Sequence, residues 1–374
     1  MSDSVPTSLI KELSLYVLQQ ACTIQAIPAP SLSESRRASY LKEQFTQLGL
    51  LDVEQDEVGN VLARLPGGSG APLLLTAHMD SVFPEGQALS LNRSESKITG
   101  PGIGDNALGV ATLLGIGRLG VCHGWRLSGD LWLVATVGEE GHGDLRGMKA
   151  IVRRFMDRPV AYLVLEGIGL GRVVHRALAV RRYRIYVRAP GGHPWAVPET
   201  PSAIHTLIAV AHEILRLPLP ASSRTVLNIG VIQGGVSVNT RAPEAWMDVE
   251  LRSEEEDSLA AFEEEMQRLL RQYKGWGRGI SIELMRMGHR PAGAILSSHP
   301  LVQKARQCLA RLGVNAALEQ ASTDANVPLS QGYAAICIGL ARGGHAHTPN
   351  EYIETESVAI GLQQVVCLLQ SLWN

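Results

Sequence analysis

The 374-residue sequence predicts an α/β fold interrupted by a smaller α+β unit. Three observations predict it. Short, fully apolar runs such as Leu73-Leu74-Leu75, Leu131 to Val137 and Ala161 to Leu165 read as strands buried on both faces of a sheet. Helical periodicities alternate with them, as in sheets covered by helices. Near Arg181 the pattern changes to the order strand, helix, strand, strand, helix, strand, that of the split βαβ or ferredoxin-like unit. A chain of this length exceeds one ordinary core, and one domain interrupted by another is the simplest organisation. The expected division is residues 1–178 with 294–374 for the larger domain and 179–293 for the insert.

In chain order, the spacing predicts helices over Thr7 to Ala26 and from Ser31 to about Leu48. Ser31 with Glu34 three residues on reads as a capping box, and Gly49 suits the end of that helix. Strands follow at Asp52 to Gln55, Asn60 to Leu65 and Pro72 to Ala77, then a buried helix over Gly109 to Leu119 and the two strands at 131–137 and 161–165. In the insert, Arg181 to Val187 is a strand and Pro201 to Leu215 a helix. Strands at Thr225 to Ile232 and Ala245 to Arg252, a helix over Glu254 to Tyr273 and a strand at Ile280 to Met285 complete it. A helix over Leu301 to Leu312, a strand at Ala334 to Leu340 and a helix over Glu356 to Trp373 return to the first pattern.

Composition excludes some classes. Hydrophobic residues make up 45% and charged residues 19%, a globular balance. A net charge of −2 gives no basic field for nucleic acid, and no cluster of Lys and Arg suggests an anionic membrane surface. No apolar run approaches the roughly 20 residues that span a bilayer. The five cysteines, Cys22, Cys122, Cys308, Cys337 and Cys367, are scattered outside any pairing motif. They read as small buried hydrophobes and favour a reducing, cytoplasmic setting.

Open α/β sheets bind ligands beyond the carboxyl ends of their strands. His78-Met79-Asp80 follows the Leu73–Leu75 run, so Asp80 is placed to hydrogen-bond and orient His78. Asp105, in the Gly-rich stretch before a helix, is either a helix cap or a carboxylate bridging two cations. Glu139-Glu140 follows the next strand; adjacent buried carboxylates call for a cation or a proton, although an acidic solvated turn has the same sequence. Glu166 follows a third strand, and His345 and His347 lie in the loop after a fourth. Each alone suits an ordinary loop. Together they offer the His, Asp and Glu donors that zinc accepts, at five strand ends or loops, and paired ions are a known hydrolytic device.

These residues lie in TAHMDSV (76–82), GIGDNALG (102–109), GEEG (138–141), LEG (165–167) and HTPNE (347–351). The set resembles the co-catalytic zinc peptidases, the family of peptidase T, glutamate carboxypeptidase, aminoacylase and acetylornithine deacetylase. GGH (191–193), GGVSVN (234–239) and DVELRS (248–253) extend the resemblance through the insert.

The resemblance implies a catalytic domain with a mixed sheet and flanking helices, interrupted by a ferredoxin-like lid or dimerisation domain. It implies two divalent ions, zinc with cobalt or manganese as alternatives. His78 and Glu166 would bind one, Glu140 and His347 the other, with Asp105 bridging. Asp80 would orient His78, and Glu139 would carry the proton from the attacking water to the leaving amine. The Asp105–Asn106 peptide is expected to be cis. His193 would stabilise the oxyanion in a partner's site of a homodimer, and Asn239 and Arg252 would contact substrate.

Some points depart from the family pattern or stay open. Pro194-Trp195 follows His193 where relatives carry small residues. His345 rivals His347, which is preferred for preceding Thr348-Pro349-Asn350-Glu351. Arg252 has an alternative role as an ion pair with the acidic run Glu254 to Asp257. The run EEGHGDLRG favours a peptidase T-like enzyme acting on small peptides, whereas Glu166 favours a carboxypeptidase or N-acyl amino acid deacylase. An inactive binding protein is the rival of another class. A nucleotide-using enzyme is a third option, but Gly115, Gly117 and Gly120 fall at the end of an apolar helix, where glycines serve packing and termination.

Overall fold

The computed structural model describes residues 5–125, 127–273 and 279–373. They divide into two compact units, Met1–Ala177 with Gly293–Asn374, and Leu178–Ala292.

The first unit opens with helices α1 (Thr7–Gln25) and α2 (Ser35–Gln47), then strands β1 (Leu51–Gln55), β2 (Val61–Leu65) and β3 (Gly70–His78). Short strands β4 (Asn92–Arg93) and β5 (Lys97–Thr99) lead to an irregular turn, Ile103–Leu108, and helix α3 (Gly109–Cys122). Next come β6 (Gly129–Thr136), α4 (Arg146–Phe155), β7 (Tyr162–Ile168) and β8 (Arg172–Ala177). The second unit contains β9 (Ala179–Arg188), α5 (Ala203–Ile214), β10 (Thr225–Gly234), β11 (Glu244–Ser253), α6 (Glu256–Tyr273) and β12 (Ser281–Arg290). The chain returns to the first unit with β13 (Gly293–Ala294), α7 (Pro300–Arg311), β14 (Ala317–Ala321), α8 (Asn326–Ser330), β15 (Ala335–Ala341), β16 (Gly343–Gly344), β17 (Tyr352–Glu354) and α9 (Thr355–Ser371).

Among the described residues, the first unit holds a nine-stranded sheet in the order β1-β2-β6-β3-β7-β15-β8-β13, with β14 beside β8. It is mixed. The centre, β6-β3-β7-β15, is parallel, whereas β1, β2 and β13 pair antiparallel. Leu73, Leu74 and Leu75 are fully buried, as expected of a strand covered on both faces. The second unit is a four-stranded antiparallel sheet in the order β10-β11-β9-β12, the ferredoxin-like arrangement. Tyr183, Ile185 and Val187 alternate onto one face of β9 and share a core with Met247, Val249 and Leu251 of β11 and Leu207, Phe262 and Met266 of the helices.

The glycines of α3 serve packing. A Cβ on Gly115 would come within 2.5 Å of Val17 Cγ2 on α1, and one on Gly120 would strike Leu65.

Two expectations are corrected. Ser31 does not cap α2: the helix starts at Ser35, and Glu34 accepts hydrogen bonds from the Leu32 amide and from Arg146. The Ser31 hydroxyl is drawn instead into tertiary contacts with Asp80 and the Glu140 carbonyl. The cysteines are not all unpaired. Cys308 on α7 and Cys367 on α9 form a disulfide, with Cα atoms 5.9 Å apart and a separation of 59 positions in sequence. No local motif announces this pair, because only the packing of the two helices brings it together. It removes the cysteine argument for a reducing compartment. Cys22 and Cys337 are buried as expected, whereas Cys122 is exposed. Closing so long a loop restricts the unfolded chain, so reduction is expected to lower the unfolding free energy by about 2–4 kcal/mol. A urea titration with and without reductant measures this, and a thiol count of five in the unreduced, unfolded chain would contradict the pairing. Among the described residues, no helix is long and apolar enough to cross a membrane.

Candidate dinuclear metal centre

The parallel centre of the first unit's sheet carries the donors at its carboxyl ends. His78 is the last residue of β3 and lies in register with Thr136 at the end of β6, so Glu139 and Glu140 emerge beside it. Glu166 is on β7, in register with Gly339 of β15. Asp105 lies in the turn before α3, and the Asp105–Asn106 peptide is cis. His347 follows β16 in the loop leading to β17.

These side chains converge on Asp105. Its Oδ1 is 3.1 Å from His78 Nε2, and its Oδ2 is 3.0 Å from His347 Nε2. Glu166 Oε2 stands 3.6 Å from His78 Nε2, and Glu140 Oε1 stands 3.1 Å from His347 Nε2. Two potential ligand sets result, His78-Asp105-Glu166 and Asp105-Glu140-His347, with Asp105 common to both. His78, Glu139 and Glu140 form a third, overlapping group. His345 is not drawn in; its ring packs edge-on against Tyr352 at 5.7 Å.

The electrostatics show what this cluster demands. Burial disfavours a charged His78, yet Glu166, Asp105 and Asp80 outweigh it and raise its pKa well above 6.5. Hydrogen bonds to Asp105 and Glu140 raise His347 to about 10. Asp105 is held well below the usual carboxylate range: burial opposes this, but His347 and His78 prevail. Burial raises Glu166, with His78 opposing and Asp105 and Glu140 adding to the rise. Without a cation, the imidazoles are thus drawn toward carrying the positive charge that the carboxylates require. Imidazole nitrogens and carboxylate oxygens arranged around a shared aspartate fit a pair of divalent ions, since both donor types suit zinc.

Asp80 is fully buried. Its carboxylate accepts hydrogen bonds from the Glu139 amide (2.9 Å), the Glu140 amide (2.9 Å) and the Ser31 hydroxyl (2.6 Å). Burial pushes its carboxyl up, but His78, Ser31 and the Glu140 amide hold it at about 2. The sequence expectation had Asp80 orienting His78. In the structure His78 Nδ1 lies 3.5 Å from Asp80 Oδ1 and 3.2 Å from the Asp80 carbonyl oxygen, while the carboxylate's shorter contacts are with the Ser31 hydroxyl and the Glu139-Glu140 backbone.

Several supporting residues escaped the sequence reading. Glu351, fully buried, accepts from the amides of Gly102, Gly104 and Asp105 and so fixes the Asp105 turn. Burial pushes its carboxyl to about 7, against the pull of those amides. Asn106 brackets Glu166: its amide nitrogen donates to the Leu165 carbonyl and its oxygen accepts from the Gly167 amide. Asn60 accepts from the Val137 amide, just ahead of Glu139. Asp324 is buried and accepts from the Thr136 hydroxyl at 2.6 Å, while burial raises its pKa to about 6. Glu351 and Asn106 had a signal, as members of HTPNE and GIGDNALG; Asn60 and Asp324 lack a local pattern.

The remaining predicted residues belong to the second unit. His193 is exposed, and its Nδ1 accepts from the Trp195 amide at 3.3 Å. Asn239 is exposed and accepts from Ser237. Arg252 pairs with Glu250 on its own strand at 2.7 Å.

Two clusters of imidazole and carboxylate donors that share Asp105, at strand ends and adjoining loops, could hold a pair of divalent ions. The profile of peptidase family M20/M25/M40 matches residues 74–371, and the chain belongs to that family. Over 261 residues it is 30% identical to a probable carboxypeptidase of Aspergillus clavatus, a match covering 61% of this chain and 55% of that protein. The chain spans about half the length of the curated relatives it matches. Its fold is similar to that of the aminopeptidase PepT from Bacillus cereus, with a TM-score of 0.75 and 23% identity, over 96% of this chain and 99% of that one. It is also similar to the YxeP protein of Bacillus subtilis, described as a dinuclear metal-binding peptidase, with a TM-score of 0.67 and 16% identity, over 96% of this chain and 98% of that one.

Proposed function

We propose that this protein hydrolyses an amide bond in a small peptide, using two divalent cations, zinc foremost, held by His78, Asp105, Glu140, Glu166 and His347. The observation that carries this reading is Asp105, whose two oxygens each face a different imidazole at 3.1 and 3.0 Å. A pair of such cations supplies Lewis acidity that polarises the scissile carbonyl and makes water a better nucleophile. Glu139 takes the proton from the attacking water and returns it to the leaving amine. Asp80 holds the backbone of Glu139 and Glu140 so that their carboxylates point into the site. We assign His193 to the developing oxyanion, and Asn239 and Arg252 to the substrate. Arg252 must then exchange its contact with Glu250 for a substrate carboxylate or share its guanidinium between them.

The reaction is tested with a tripeptide, an amine-blocked peptide, a carboxyl-blocked peptide and an N-acetyl amino acid. Cleavage of the tripeptide and of the carboxyl-blocked peptide, but not of the amine-blocked one, is expected for a peptidase T-like enzyme. The second reading, a carboxypeptidase or N-acyl amino acid deacylase, is favoured by Glu166 and by the name of the Aspergillus relative. It expects the amine-blocked peptide or the N-acetyl amino acid to be cleaved. No cleavage of any of the four would count against both.

We also propose that the chain is a homodimer formed through the insert, so that His193 acts in its partner's site. In support, β10 is an edge strand of the insert's sheet and exposes Val226, Val231 and Ile232. Mixing His193→Ala with Glu139→Ala, each inactive alone, is then expected to restore part of the activity, because a mixed dimer holds one intact site. A monomer by sedimentation, or no recovery on mixing, contradicts it.

A further inference from the structure

The loop before α2 is anchored beneath the metal centre, although no motif places it there. Arg37 is buried at 3% exposure and donates to the Ile27 carbonyl and, at 2.7 Å, to the carbonyl of Met79, between His78 and Asp80. The Ser81 amide donates to the Ala29 carbonyl at 2.9 Å, and Pro30 pairs with Ser81. Ser31 is thereby held against the site. Its hydroxyl donates to Asp80 Oδ2 at 2.6 Å and lies 3.1 Å from the Glu140 carbonyl oxygen.

We propose that Ser31 is a positioning residue for one half of the centre, the set Asp105-Glu140-His347. The inference rests on the two-cation reading above. The oxygen that Ser31 touches, Asp80 Oδ2, also accepts the Glu140 amide at 2.9 Å. Ser31 therefore braces residue 140 at its amide, through Asp80, while its single hydroxyl proton, directed to Asp80 Oδ2, leaves the Glu140 carbonyl at most a minor share. Fixing the amide end restrains the direction in which the Glu140 carboxylate leaves the chain. His78 depends on Ser31 less: it is set by the β3–β6 ladder and lies 3.2 Å from the Asp80 carbonyl, and its contact with the Asp80 carboxylate, at 3.5 Å, is to Oδ1 and not to the oxygen that Ser31 holds. Removing the hydroxyl also leaves the fully buried Asp80 carboxylate one donor short, which loosens the segment it organises.

The effect is therefore asymmetric between the two cation positions. Chain stripped with chelator is titrated with cobalt(II) by calorimetry and by visible absorption. The wild type is expected to take up two ions. Ser31→Ala is expected to bind one ion with wild-type affinity and the other roughly 10-fold more weakly, the size of effect usual for a group that orients a ligand. Its cobalt spectrum should change only with the weaker equivalent, and Ser31→Thr, which keeps the hydroxyl, should restore both. Wild-type affinity at both positions in Ser31→Ala overturns the proposal, as does equal weakening of both, which signals general loosening of the fold. A wild type that takes up a single ion overturns the two-cation reading itself and the inference with it.

Discussion

Glu139→Gln is expected to lower kcat by roughly 10²- to 10⁴-fold, the range for removing a general acid–base group, while the chain still binds two cations. The expectation follows from how the carboxylates divide. Asp105 and Glu166 join His78, and Asp105 and Glu140 join His347, so each ligand set has three donors without Glu139. Glu139 stands close enough to His78 and Glu140 to form a third group with them, and is itself 5% exposed. Its amide is pinned by Asp80 Oδ1. On the proposed division of roles, it is the carboxylate assigned to proton transfer. Glutamine preserves its shape and removes its basicity. Steady-state kinetics together with metal analysis of the same sample measures both quantities. If Glu139→Gln held only one ion, Glu139 would be a ligand, and the separation of proton carrier from metal ligands would be wrong.

Asp105→Asn is expected to reduce the cation stoichiometry from two to one and to abolish hydrolysis. Asp105 Oδ1 faces His78 and Oδ2 faces His347. An asparagine offers one oxygen and no charge, so it can serve one lobe at most. The turn that carries it is held independently by Glu351, through the amides of Gly102, Gly104 and Asp105. The substitution therefore removes a ligand without releasing the turn. The metal-free variant should fold but unfold somewhat more readily than the metal-free wild type near neutral pH, because the contacts of the Asp105 carboxylate with His78 and His347 are lost. Two ions retained at full affinity would contradict the bridging role.

How much of this was legible in the sequence depends on how local each signal is. His78, Glu139, Glu140 and Glu166 sit at or near the ends of apolar strands, where a run of buried residues meets a charged one; Asp105 stands in a Gly-rich stretch ahead of a helix; the family resemblance implied the roles of all five. The split βαβ order of the insert was equally legible, because its strands alternate and its helices are periodic. Helix α4 was passed over although Met148, Ile151, Val152 and Phe155 recur at helical spacing and are buried; the signal was present in the residues. Strand β14 was not legible, because Ala317–Ala321 is a short, partly polar sequence that becomes a strand only by pairing with β8. Ser31 shows the reverse error. Its spacing to Glu34 satisfies a local rule, but Asp80, 49 residues away, takes its hydroxyl instead. The Cys308–Cys367 pair likewise exists only through helix packing.

The most direct test of the central claim is a metal titration of activity. The chain is stripped with chelator, and hydrolysis of the best substrate in the peptide panel is followed as zinc is added back against protein concentration. Two cations sharing Asp105 predict negligible activity in the stripped chain and a rise that is complete only at two equivalents. Full activity in the stripped chain, or a plateau at one equivalent, would contradict the claim.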